Sequence, residues 1–151
     1  MRTPKNQLAK AELQFSYRPL PNPVKIENSK VAERFLRSVW NKDLLTIQEQ
    51  FYVLYLNTAN EAICWRCLHT GAINGSLVDV RLIFGLAFGC LASSLIIAHN
   101  HPSGQVMPSK ADYKLTDEIV QAGKLLKVAV VDHFILGNDS SYSFMENGYV
   151  F

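Results

Sequence analysis

The spacing of apolar residues changes several times along the chain, and each change marks an element. A polar opening carries "RPLPNP" (Arg18 to Pro23), which continues neither a helix nor a central strand. Then "SKVAERFLRSVWNKD" sets Val31, Phe35 and Val39 at helical intervals behind Ser29, a candidate N-cap. "FYVLYLN" (Phe51 to Asn57) is β-branched and aromatic, Asn57 to Asn60 supply a turn, and "EAICWRCLHTG" returns as the second strand of a hairpin. After Gly75, "VDVRLIFGLAFGCLASS" reads as a mostly buried helix with Asp79 as its cap, despite Gly85 and Gly89. "SLIIAHNH" (Ser94 to His101) is a strand ended by Pro102, and "PSKADYKLTDEIVQAGKLLK" is an amphipathic helix. "VAVVDHFILGN" is a strand leading to a turn at Gly137-Asn138, and the tail "YSFMENGYVF" is one more short strand.

Strands alternating with helices after a first hairpin predict a single-domain α/β (α+β) fold, one mixed sheet flanked by helices. That domain covers residues 29–151, behind an extended arm over residues 1–28. A chain of 151 residues is long enough for one core. Its 48% hydrophobic and 19% charged residues suit a globular protein rather than a disordered one. The net charge of +2 is spread along the chain, so nucleic-acid binding is permitted but not indicated. Apolar runs are too short or interrupted for a membrane span, and "MRTPKNQLAKAELQFSY" lacks the apolar core of a signal peptide. The expectation is a cytoplasmic protein without a membrane partner. Three cysteines fit reduced thiols, and the lone Cys64-Trp-Arg-Cys67 reads as ordinary strand cysteines rather than a zinc knuckle.

Candidate chemistry concentrates in "IIAHNHPSGQVMPSKAD" (Ile96 to Asp112). His99 and His101 are two apart at a strand end, so they project from one face and can reach one ion, at about 2.0–2.1 Å for zinc. Asn100 then points away from that ion. Asp112 has two readings. With Ser109 it forms a capping pattern, serine at the N-cap and an acid three residues on. On a helical projection, however, it borders the stripe of Leu115, Ile119, Ala122 and Leu126, away from the charged side. A carboxylate turned toward a core needs a partner, and a cation is one. His99, His101 and Asp112 would leave a fourth position open, as catalytic zinc does. Glu49, just before "FYVLYLN", is a candidate base, with Glu61 as its competitor. The lack of His-x-Glu, Cys-x-Glu and Pro-Cys-x-x-Cys argues against a nucleobase deaminase. The charge and the missing acidic cluster argue against a metal-dependent nuclease, and "HNH" is a coincidence of letters.

"HNHPSGQVMPSKAD" resembles the JAMM metalloprotease motif, His-x-His-Pro followed by a serine and an aspartate. His-Asn-His-Pro-Ser-Gly with Pro108-Ser109-x-x-Asp112 is similar to the RadC branch of JAB/MPN domains in particular. "QEQFYVLYLN", "HTGAINGS" with Arg81 after it, and "VDHFILG" occur in the expected order, so the resemblance spans roughly residues 29–151. It implies a JAB/MPN, cytidine-deaminase-like architecture and one zinc per chain held by His99, His101 and Asp112. It further implies Glu49 as proton carrier, Ser109 as oxyanion donor, and hydrolysis of an amide or isopeptide bond in an unknown protein or peptide substrate. The alternative is a non-catalytic or DNA-repair-associated interaction module that retains the metal site. Longer RadC proteins carry an N-terminal helix–hairpin–helix segment; the expectation here is a short form without it, so the family's traditional DNA-repair label lacks support in these residues. His133 lies in the Asp-His block with its role open between supporting the site and packing. Asp132 and His133 point to opposite faces, so at most one addresses the site.

Overall fold

The structure is a computed structural model that describes residue 18 and residues 21–71 and 78–151. Most of the expected arm (1–28) and of the "HTGAINGS" block lies outside the described residues.

Eight elements follow in order: α1 (Ser29–Val39), β1 (Gln50–Leu56), β2 (Ala62–Thr70), α2 (Val80–Gly89), β3 (Ser94–Asn100), α3 (Lys110–Leu126), β4 (Ala129–Leu136) and β5 (Ser141–Ser143). The strands form one sheet in the order β2-β1-β3-β4-β5. β1 runs antiparallel to β2 and β3, β3 and β4 are parallel, and β5 returns antiparallel on β4. The parallel pair is possible because α3 supplies the crossover between its strands. The α/β mixed sheet expected from the residues is the one observed.

β1 and β3 are buried throughout, so their alternate side chains feed two separate cores. Phe51, Val53, Tyr55, Leu95 and Ile97 pack with Ile83, Phe84 and Ala87 of α2 and Leu115, Ile119 and Val120 of α3. Tyr52, Leu54, Leu56, Ile96 and Ala98 pack on the other face with Ala32 and Leu36 of α1 and with Trp40. The same parity separates Cys64, against the first core, from Cys67, against the second. All three thiols are free; Cys64 and Cys67 lie on β2, and Cys90 follows α2.

β4 joins the sheet with one irregularity. Leu95 pairs with Val130 but Ile96 pairs with Asp132, so Val131 is an extra residue. Val130 packs on the α2/α3 core, whereas Phe134 and Leu136 pack on the α1 core. The bulge has shifted the alternation by one residue, and His133 consequently faces α3.

Local signals differ from expectation in three places. Asn28, not Ser29, caps α1, its side chain accepting the Val31 N–H at 3.0 Å. The buried stripe of α3 runs through Asp112, Leu115, Thr116, Ile119, Val120 and Gly123, while Leu126 stays partly exposed. The helix is turned toward its two polar residues, for reasons the site supplies. The tail forms only the three-residue β5 before turning. Asp79 caps α2 as expected, accepting the Arg81 N–H. Among the described residues, no helix is long and apolar enough to cross a membrane.

Candidate metal centre

Three elements meet where β3 ends. His99 is on β3 and follows the parity of Leu95 and Ile97, so it faces α3; Asn100 faces the opposite way. The backbone N–H of His101 donates to the Leu136 carbonyl at 2.9 Å, extending the strand by one residue and returning His101 to the His99 side. The chain then turns at Gly104, whose φ of +81° is a conformation glycine adopts without strain. The Gly104 N–H donates to the His101 carbonyl at 2.9 Å.

Asp112 is the third residue of α3 and 7% exposed. Both readings of it hold together. The Ser109 N–H and O–H donate to its Oδ2 at 2.6 and 2.7 Å, and its own N–H donates to Ser109 Oγ at 3.2 Å, a complete capping box. Its Oδ1 lies 3.1 Å from His99 Nε2, and Oδ2 lies 3.7 Å from His101 Nε2. Burial acts to raise this carboxyl, but the hydrogen bond and charge of His99, with the donors of Ser109, outweigh it and hold it well below the usual carboxylate range.

His99 Nε2 and His101 Nε2 are 3.0 Å apart. His101 Nδ1 lies 2.6 Å from the Gln105 carbonyl, which can only accept, so Nδ1 carries the ring proton and Nε2 is left as a lone pair. That lone pair faces a second imidazole nitrogen and a carboxylate, so the three groups call for one positive charge between them, a proton on His99 in the metal-free protein or a metal ion in its place. The donor set of two nitrogens and a carboxylate oxygen suits a divalent metal, and among the described residues this is the one such group of three.

The surrounding cleft, about 480 Å³, is lined by Glu49, His99, His101, Pro102, Ser103, Ser109 and Asp112. Phe51 pairs with His99 across β1 and β3, so Glu49, two residues before Phe51, enters the cleft from the neighbouring strand. The Glu49 carbonyl accepts the Gly71 N–H at 2.8 Å. Its competitor Glu61 sits at the other end of the β1–β2 hairpin, accepting from Asn57 Nδ2 at 2.8 Å. Ser109 is exposed at the rim.

Two further residues belong to this assembly. Asn100, fully buried on the far face, donates through Nδ2 to the Leu45 and Gln48 carbonyls and accepts the Gln50 N–H, pinning the segment that carries Glu49. His133 is fully buried, stacks on Phe144 at 4.6 Å, and places Nε2 2.8 Å from His99 Nδ1. Burial, then the neighbouring His99, hold its ring well below the ordinary histidine value. Asp132 faces away, receiving Ser143 Oγ–H at 2.6 Å and the His133 and Met145 N–H groups. Of the two, His133 addresses the site.

Comparison with known proteins agrees with this geometry. The sequence model of the "RadC-like JAB domain" family matches residues 26–149. A UPF0758 protein of Flavobacterium johnsoniae is 45% identical over 100 residues, covering 66% of this chain and 44% of its own length. The UPF0758 protein YeeS of Escherichia coli K12 is 45% identical over 101 residues, covering 67% of this chain and 68% of its own. A UPF0758 protein of Streptococcus suis is 36% identical over 119 residues, 79% of this chain and 47% of its own. The chain thus spans about half the length of two of these three curated relatives.

Proposed function

This chain belongs to the RadC-like JAB domain family, and from that premise we propose that it is a zinc-dependent hydrolase of the JAMM type, cleaving an amide or isopeptide bond in a protein or peptide. The observation that carries the reading is the convergence of His99 Nε2, His101 Nε2 and the Asp112 carboxylate within 3.7 Å in a cleft shared with Glu49 and Ser109.

His99, His101 and Asp112 would hold one zinc per chain. Zinc there would supply Lewis acidity, bringing the pKa of a water to about 7. Glu49 accepts the proton that the attacking water loses and delivers it to the departing amine nitrogen as the carbon–nitrogen bond breaks. The Ser109 hydroxyl turns from Asp112 Oδ2 to donate to the developing oxyanion. Asp112 keeps the Ser109 backbone N–H, already 2.6 Å away, so the helix remains capped while the hydroxyl is used. No nucleic-acid or membrane surface is part of this reading.

The test is a proteome-wide cleavage screen with the wild type and Glu49→Gln. The variant retains zinc and yields none of the wild-type products. Identical product sets would remove Glu49 from its role. Zinc in both proteins with no cleavage by either would favour an interaction module that keeps the metal.

A further inference from the structure

We infer that Thr116 and His133 form a hydrogen-bond relay that fixes the ring proton of His99 on Nδ1 and leaves Nε2 as its ligating atom. The inference rests on the metal reading above and extends it to two residues that touch no ligand position themselves.

Donor and acceptor accounting along the chain of contacts leaves one solution. The Asp112 carbonyl has no proton, so at 2.6 Å the Thr116 hydroxyl must donate to it. A hydroxyl has one proton, so toward His133 Nδ1, 2.7 Å away, Thr116 accepts and His133 Nδ1 donates. The His133 ring is fully buried against Phe144, where an imidazole with a single N–H is the stable form. Its Nε2 is therefore a lone pair, and the 2.8 Å contact with His99 requires His99 Nδ1 to donate. His99 Nε2 then faces His101 Nε2 and Asp112 Oδ1.

The relay starts on one turn of α3 and ends at His99 on β3. Asp112 contributes its carboxylate to the site directly, and its carbonyl sets the ring proton of a second ligand, His99, through Thr116 and His133. This explains why α3 buries two polar residues at its start, and why β4 carries a bulge that turns His133 inward. Outer-shell partners of ligating histidines set tautomer and orientation in this way, and their loss typically weakens metal binding about 10–100-fold.

Thr116→Val keeps the shape and removes the acceptor for His133 Nδ1–H. Imidazole ¹⁵N NMR of the metal-free wild type is expected to show protons on Nδ1 of both His99 and His133, with coupling across the His99–His133 hydrogen bond. In T116V the His133 proton moves to Nε2, and zinc affinity, read by competition with a chelator, falls about 10–100-fold. Thr116→Ser restores both readouts. His133→Phe, which keeps a ring against Phe144, weakens zinc comparably, and adding T116V to it costs nothing further. Wild-type tautomers and affinity in T116V would overturn the relay, as would additive losses in the double variant. If the wild type itself takes up no zinc, the metal reading fails, and the tautomers of the metal-free protein alone decide the relay.

Discussion

The side-chain oxygen of Asn100 accepts the backbone N–H of Gln50 at 2.7 Å, across the sheet face opposite the candidate metal centre. With the hydrogen bonds that its Nδ2 donates to the Leu45 and Gln48 carbonyls, it holds the chain on both sides of Glu49. The residue between the two histidines is thus a clamp on the segment that carries Glu49 into the cleft.

Asn100→Ala removes three hydrogen bonds at a fully buried position and leaves backbone groups without partners. Urea unfolding is expected to show a loss of about 2–4 kcal/mol. On the proposed function, hydrolysis is expected to fall by a larger factor than zinc affinity, because His99, His101 and Asp112 make none of the clamp's three hydrogen bonds. A variant with wild-type stability and activity would contradict that assignment.

Asp132 gives a pH signature away from the metal. Burial pushes its carboxyl above the ordinary value, against the hydrogen bonds from Ser143, Met145 and His133. A raised folded value means the group's contribution to stability is fully present below the unfolded value of about 3.9 and is lost as pH rises through the folded one. Asp132→Asn removes that loss. Relative to wild type, the variant therefore gains stability between pH ~3 and pH ~7, whatever constant cost its altered hydrogen bonds impose. Chemical denaturation at the two pH values reads this, and a difference that is flat or runs the other way contradicts it.

Gly137 links the β4–β5 turn to the loop after His101. A Cβ there would meet Ser140 Oγ at 2.9 Å, the Gly104 carbonyl at 3.0 Å and Val106 Cγ1 at 3.1 Å. The serine side chain can yield; the Gly104 backbone moves only with the loop that orients His101 through Gln105. Gly137→Ala is expected to cost about 1–3 kcal/mol, lowering Tm by about 2–4 °C per kcal/mol, and to weaken zinc binding. An unchanged Tm with unchanged zinc affinity would show that the loop accommodates the methyl group.

The parts of this site that are local in sequence were legible there. His99 and His101 are two apart at a strand end, so they share a face, and Asp112 lies on the border of the apolar stripe by which α3 packs on that face. Glu49 is different: its position depends on β1 pairing with β3, Phe51 opposite His99, a non-local register that no neighbouring residue announces. His133 was undecided for a sharper reason. Alternation says that Asp132 and His133 part company, but the extra residue at Val131 decides which one faces the site. The residue pattern puts the α1 cap at Ser29; the structure puts it one residue earlier, where Asn28 has the extended backbone of a cap and its side chain accepts the Val31 N–H. Apolar spacing puts Leu126 on the buried stripe; the helix instead turns Asp112 and Thr116 inward, where their partners lie, and leaves Leu126 exposed.

Titrating zinc into chelator-treated protein asks directly whether His99, His101 and Asp112 hold a zinc ion. The wild type is expected to bind about one zinc per chain, the count a single site with one open position allows, and His101→Ala to lose that binding while remaining folded. A wild type that binds no zinc, or a His101→Ala variant that binds it as tightly, would contradict the assignment.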